Sequence, residues 1–425
     1  MAFKVLANPN KGKRQEAAAK QLAKYSHSQV KKARNFHSSI EGYEMTPLRS
    51  LDNLAKKLGV SKIFVKDESY RFGLNAFKAL GGSYAVGTYL AKKLGLDISE
   101  LPYSKMISPD VKAKLGDVTF ICATDGNHGR GLAWTASKLK QKCVVHMPAG
   151  SAPERLNNIR ALGANADITD LNYDDAVRLS KTEAEKNGWV LVQDTSWPLY
   201  EEIPTAIIQG YMTMLDEADE QLKGELPTHV FAQAGVGSLA TAVVSYFVNK
   251  YGADKCTPKL IVVEPNNASC IFDTLRSTDG KIHAVGGDLK TIMAGLACGE
   301  PVTVGVDVLA DCVDFIASVP DYAAAQGMRV LSSPQKSSPG AAIDADPRII
   351  SGESGAATFG FAYEVLSNPD LEPIKKQLGI DSNSKLFFLS TEGDTDRANF
   401  DDITQNGAWS RAEAVRAGET KIQKE

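Results

Sequence analysis

Short apolar, β-branched runs alternate along the chain with stretches of helical period, which is the pattern of parallel strands covered by helices. Seven runs read as strands: Lys62–Lys66, Val118–Ala123, Cys143–Met147, Trp189–Gln193, His229–Ala232, Leu260–Glu264 and Leu386–Ser390. Leu239, Ala242, Val243, Tyr246 and Phe247 fall at helical spacing directly after the run at 229–232, with only a glycine-bearing turn between. Ser151-Ala152-Pro153-Glu154 reads as a capping box ahead of Leu156, Ile159 and Leu162, with Gly163 as the stop. Tyr173–Asn187 reads as a helix closed by Gly188. Gln15–Arg34 and Arg411–Glu425 read as charged helical arms, and Ser332–Pro347, rich in Ser, Pro and Ala without periodicity, as a surface loop.

A chain of 425 residues predicts two or three domains with a sizeable core. Lys and Arg number 48 against 51 Asp and Glu, a net charge of −3 with no block of either sign, which argues against nucleic acid as a partner. A hydrophobic share of 43% excludes disordered and disulfide-scaffold classes. The first residues form no apolar core of a signal peptide, and no apolar run reaches the roughly 18–20 residues of a membrane helix, so a cytoplasmic protein is expected. The six cysteines include no Cys-x-x-Cys and the six histidines no His-x-x-x-His, so no metal site is expected.

Two segments carry chemistry. Gly235-Val236-Gly237-Ser238-Leu239-Ala240 lies between a strand and a helix, where backbone N–H groups and the positive helix end cradle a phosphate. With Glu264 ending the next strand, the same pattern also fits a dinucleotide fingerprint. In Asn75-Ala76-Phe77-Lys78-Ala79-Leu80-Gly81-Gly82 a lone lysine opens an apolar helix. The helix dipole and burial disfavour an ammonium there, and a neutral amine is what Schiff-base chemistry with a carbonyl requires.

The stretch Val65–Ala85, together with Thr46-Pro47-Leu48, Ala123–Trp134 and the Gly235 loop, resembles the fold-type II pyridoxal-phosphate enzymes. Val65–Ala85 and Ala123–Trp134 narrow the resemblance to the diaminopropionate ammonia-lyases, with similarity from about Thr46 to Asp396. It implies two open, twisted, mostly parallel α/β domains with pyridoxal 5'-phosphate in the cleft between them: a small domain at 73–202 and a large one from 1–72 and 203–425. Lys78 would hold the cofactor and return as a general base. Gly235, Val236, Gly237, Ser238 and Leu239 would hold its phosphate, which leaves Glu264 with no ribose to bind. Asn127 would bond its 3-hydroxyl, with helix capping as the alternative, and Phe77 would pack by the pyridine ring.

Further expectations follow from the same resemblance. Ser390, or its neighbour Thr391, would set a neutral hydroxyl against the pyridine nitrogen, a weaker electron sink that favours elimination; the nearby Asp394 and Asp396 would reverse that argument if one reached the nitrogen. Asp125 stands where the serine and threonine dehydratases carry a small neutral residue. It would either pair with the substrate's β-ammonium or take the α-proton from the face opposite Lys78, and an Asx turn is its structural alternative. Asp194 would line the substrate site. Glu353-Ser354-Gly355-Ala356 ranks lower, as a turn into a helix near the cofactor, and His128 as a local hydrogen bonder. Pairing of Cys270 with Cys298 stays open, against the expectation for a reducing compartment.

The activity implied is α,β-elimination of D- and L-2,3-diaminopropionate to pyruvate and two ammonia by a homodimer. The alternatives are a serine or threonine dehydratase of the same fold, a non-catalytic cofactor-binding protein, and a nicotinamide oxidoreductase built on the Gly235 loop.

Overall fold

The computed structural model describes residues 3–124, 126–252, 257–336 and 345–416. Among them the strands run β1 (Lys4–Ala7), β2 (Leu48–Ser50), β3 (Lys62–Asp67), β4 (Thr119–Ala123), β5 (Lys142–Met147), β6 (Asn165–Ile168), β7 (Val190–Leu191), β8 (His229–Gln233), β9 (Lys259–Pro265), β10 (Phe315–Val319) and β11 (Lys385–Ser390). They form two sheets. The larger has the order β1-β10-β9-β8-β11-β3-β2, parallel except for its two edge strands, and the smaller, all parallel, has the order β6-β5-β4-β7. This is the α/β class that the alternation of the sequence implies.

Each sheet contains one place where the strand order reverses. In the larger sheet β9 and β10 continue from β8 on one side, while β11 and β3 lie on the other. In the smaller sheet β5 and β6 continue from β4, and β7 lies on its far side. Chain leaving neighbouring strands at such a point diverges, and a crevice opens at their carboxyl ends. β8 and β11 pair through only two residues, His229 with Leu386 and Val230 with Phe387, before they splay.

Side chains alternate across β11 as a pleated strand requires. Phe387 and Leu389 enter the core shared with the helices Glu202–Leu222 and Ser238–Tyr251, and Leu386 and Phe388 enter the core on the opposite face, with Phe359 and Phe361. Glu202–Leu222 packs against Ala79–Lys93, and at their crossing a Cβ on Gly210 would come within 2.4 Å of Leu80 O, so only glycine admits the approach.

A buried ion network fixes the segment that precedes Lys78. Lys66 Nζ lies 2.7 Å and Arg71 Nη2 2.8 Å from Glu217 Oε2, and Arg71 Nε lies 2.8 Å from Glu68 Oε2, with all four side chains fully buried. Burial pushes the Glu217 carboxyl up, but the Arg71 guanidinium and Lys66 ammonium more than offset it and leave it below the usual carboxylate range. The motif residues Lys66 and Glu68 thus support the fold and not the cavity. Glu217→Ala would leave Lys66 buried without its carboxylate and Arg71 with Glu68 alone, so it should lower stability by about 3–5 kcal/mol. Glu220→Ala, which removes a half-exposed partner of Arg34, should cost under about 1 kcal/mol. Urea unfolding of the two variants checks the contrast.

Local expectations fare unevenly. Tyr173–Asn187 is a helix with Gly188 left-handed at its end, as read from the sequence. The capping box at Ser151 does not form. The helix is Pro153–Arg160 with Ala152 at its cap, which moves Glu154 one position too close, and Ser151 Oγ donates to Pro148 O at 2.8 Å instead. The N-terminal arm is two helices, Gln15–Leu22 and His27–Ser38, broken by a turn at Ala23–Tyr25. The C-terminal arm is helical over Arg411–Arg416, and its remainder lies outside the described residues, as does 337–344 of the loop read at Ser332–Pro347.

Candidate active site

The carboxyl ends of the two reversal points face one cavity of about 680 Å³. From the smaller sheet, Thr124 and Asn127 follow β4 and Asp194 follows β7; from the larger, the Gly235 loop follows β8 and Thr391 follows β11. That volume lies within the usual range for a small-molecule site.

Lys78 enters the cavity from the residue ahead of the helix Ala79–Lys93, the position its sequence implies. Two backbone bonds hold the approach to it against the end of β11: Phe77 N donates to Thr391 O and Gly393 N to Asn75 O, both at 3.0 Å. Behind it the helix Asn127–Lys138 comes so close that a Cβ on Gly131 would stand 2.8 Å from Ala79 N. Phe77 lines the same wall, its ring 4.5 Å from that of Tyr211 and 5.6 Å from Lys78 Nζ.

The lysine amine meets a carboxylate that the sequence pattern alone did not pair with it. Lys78 Nζ lies 2.5 Å from Asp194 Oδ2, and His128 Nδ1 lies 4.0 Å from the same oxygen. Burial pushes the Asp194 carboxyl up, but the charges of Lys78 and His128 and the bond from Lys78 override it and bring it to about 2. Asp194 is therefore an anion throughout the neutral range. Its carbonyl accepts from Ser238 Oγ at 2.6 Å, which ties the phosphate-loop candidate to the carboxylate. His128 Nε2 sits 2.7 Å from Val192 O, the local hydrogen bond expected of it.

The glycine loop fits a phosphate. Gly235 to Leu239 all line the cavity, Gly237 takes the left-handed φ of +100°, and the helix Ser238–Tyr251 begins there. Among the described residues no acceptor meets the N–H groups of Gly235, Val236 or Gly237, so an anion at the helix start would satisfy donors that are otherwise left over. A Cβ on Gly235 would come within 3.1 Å of Leu296 Cα and of Cys298 Sγ. Cys270 Sγ lies 3.6 Å from Gly235 O, and Cys270 and Cys298 form no disulfide. Glu264 is buried away from the cavity and accepts from Ile271 N and Phe272 N at the head of the helix Cys270–Arg276, so it is a capping group.

Of the two hydroxyls expected at the pyridine nitrogen, Thr391 lines the cavity and Ser390 does not. Strand alternation puts Ser390 on the same face as Phe388, where its Oγ donates to Ser351 Oγ at 2.8 Å, so of the two only Thr391 is placed on the cavity. Asp394 is occupied by Asn75 Nδ2 at 2.9 Å, while Asp396 caps the short helix Arg397–Asp401 at the cavity rim. Asn127 opens its helix without capping it. Thr124 Oγ1 takes that part, accepting from Gly126 N at 2.9 Å and Gly129 N at 3.0 Å, and the Asn127 amide instead donates to Glu392 Oε2. Asp125 lies outside the described residues.

Several cavity residues escaped the sequence reading. Glu392 accepts from Asn127 and, at 2.9 Å, from Ser354 N at the head of the helix Glu353–Ser367. Burial, then the neighbouring Glu392 charge, pushes the Glu353 carboxyl well above the usual range. Both glutamates line the cavity, so Glu353 and Ser354 belong nearer the site than their sequence rank suggested. A glutamate directly after the Ser390-Thr391 strand end was the one available signal for Glu392. Gln233 and Tyr211 carried none. No group of three or more His, Cys, Asp or Glu side chains among the described residues could hold a metal, and none of their helices is long and apolar enough to cross a membrane.

The model of the family described as pyridoxal-phosphate dependent enzyme matches residues 40–361. The diaminopropionate ammonia-lyase of Salmonella typhimurium is 49% identical over 375 residues, covering 88% of this chain and 91% of that protein. The Escherichia coli diaminopropionate ammonia lyase solved in complex with D-serine superposes with a TM-score of 0.85 at 43% identity, covering 96% of this chain and 98% of that one. The same enzyme solved with an aminoacrylate-PLP azomethine reaction intermediate gives 0.84 at the same identity and coverage. An amine on a carboxylate, a glycine loop with unmet N–H groups on the same cavity, and similarity along nearly the whole chain agree: the chain belongs to the pyridoxal-phosphate-dependent enzymes and, among them, to the diaminopropionate ammonia-lyase family.

Proposed function

We propose that the protein eliminates ammonia from 2,3-diaminopropionate of either hand, giving pyruvate and a second ammonia once the product meets water. The observation that carries this reading is the Lys78–Asp194 contact at 2.5 Å, on one cavity with the glycine loop. Pyridoxal phosphate, when bound, supplies an electron sink for the charge that develops at the substrate's α-carbon.

The residues around it divide the work. The N–H groups of Gly235 to Leu239 would hold the phosphate, Asn127 would bond the 3-hydroxyl, Phe77 would pack by the ring and Thr391 would bond its nitrogen. The Lys78 amine carries the cofactor between turnovers and takes the α-proton of the L substrate; Asp125 takes it from the opposite face for the D substrate. Asp194 orients Lys78 and, as an anion, keeps the departing amine in its ammonium form, because amide ion is far too basic to leave. The Escherichia coli relative was solved in complex with D-serine, which makes D-serine a second ligand to test at this site. A cytoplasmic homodimer whose small domain spans 73–202 completes the proposal.

Assay of pyruvate and ammonia separates the readings. Two ammonia per pyruvate from diaminopropionate, at a higher kcat/KM than from either serine, supports the lyase, and a preference for serine overturns it in favour of a dehydratase. Asp125→Asn should lower turnover of the D form by on the order of 10²–10⁴-fold and spare the L form. Equal loss on both would replace the two-base assignment with substrate binding.

A further inference from the structure

Gln233 ends β8 almost fully buried, with three oxygens around its amide nitrogen. Nε2 lies 3.0 Å from Leu389 O, 3.1 Å from Thr391 Oγ1 and 3.3 Å from Ser354 O. Two of these are carbonyl oxygens, which only accept, so a reversed amide would set oxygen against oxygen twice. The orientation holds even though it leaves Oε1 without a partner among the described residues, which buried amides normally avoid.

An amide nitrogen has two hydrogens to give. The two shorter contacts take them, so one lone pair of Thr391 Oγ1 is filled by the Gln233 amide. Its own O–H then needs an acceptor elsewhere. Among the described residues it donates to none, and Thr391 lines the cavity. A ring nitrogen with its lone pair free would accept that hydrogen. A protonated ring nitrogen would take the hydroxyl's second lone pair and leave its hydrogen unbonded.

We infer that Gln233 is a positioning residue: by donating to Thr391 it turns that hydroxyl into a hydrogen-bond donor aimed at the pyridine nitrogen and so holds the nitrogen unprotonated. The inference rests on the cofactor reading of the cavity and adds a residue to it. It also accounts for a glutamine at this strand end. Glutamate would set a carboxylate against two carbonyls, and methionine, similar in length, would supply no donor.

The test compares apoprotein affinity for pyridoxal phosphate and for its carbocyclic analogue, in which a CH group replaces the ring nitrogen. Wild type should prefer the natural cofactor by roughly ten-fold, the contribution of one neutral hydrogen bond. Thr391→Val and Gln233→Met should both bring the preference near parity, whereas damage to the fold would weaken both compounds alike. A preference lost in Thr391→Val but retained in Gln233→Met overturns the inference. Nitrogen NMR of wild type loaded with ring-labelled cofactor needs no variant: an unprotonated, hydrogen-bonded nitrogen supports it and a protonated one overturns it. Failure of the cofactor reading looks different, since then neither compound would bind.

Discussion

Lys78→Ala is expected to abolish turnover of diaminopropionate, by on the order of 10⁴-fold or more, because one side chain serves both as the attachment point of the cofactor and as a proton acceptor, and the second role alone is typically worth 10²–10⁴-fold. The variant should still fold. Lys78 sits ahead of its helix, where alanine is tolerated, and the segment is held by the backbone bonds of Asn75 and Phe77 to the end of β11, which do not involve the amine. Cofactor should still enter, held by the glycine loop, but without covalent attachment. A small alkylamine added to the assay should restore part of the rate. Normal turnover in the variant would remove Lys78 from the chemistry altogether.

Asp194→Asn should follow with a loss on the order of 10²–10³-fold in kcat and little change in cofactor content. Asparagine keeps the shape and the backbone carbonyl that Ser238 Oγ reaches at 2.6 Å, so the loop is undisturbed. What disappears is the anion that faces Lys78 at 2.5 Å and His128 at 4.0 Å. The leaving amine then lacks a charge to keep it protonated, and Lys78 lacks the group that aims it. Steady-state kinetics on both enantiomers, with cofactor content measured alongside, checks the split between kcat and binding.

How far the sequence alone discloses this arrangement depends on where each signal resides. Buried parallel strands such as β8, β9 and β11 are continuous apolar runs and are legible. β1 and β2 are short antiparallel edges, and β6 reads Asn-Ala-Asp-Ile, too polar and too brief to stand out. β10 was apolar enough to be found and was missed. The run at Trp189–Gln193 overstates β7, which pairs only through Val190 and Leu191. Beyond them the Gln193 side chain replaces the strand, its Oε1 accepting from Ala123 N and its Nε2 donating to Ala123 O, each at 3.0 Å. No periodicity encodes a side chain doing a backbone's work, and Gln233 at the other reversal point was hidden for the same reason.

The chemistry shows the same division. Lys78, Asn127 and the Gly235 loop sit in contiguous motifs that the sequence displays, and they line one cavity. The contacts Lys78–Asp194 and Asn127–Glu392 join residues 116 and 265 positions apart, and only the folded chain brings them together. The choice between Ser390 and Thr391 turned on which face of one strand each occupies, a matter of register that a strand's last two residues do not announce.

Borohydride reduction of the wild-type protein loaded with pyridoxal phosphate, followed by peptide mass mapping, tests the central claim most directly. The cofactor should be fixed to the peptide that contains Lys78. A protein that retains no label, or one labelled instead at Lys290, which also lines the cavity, would contradict it.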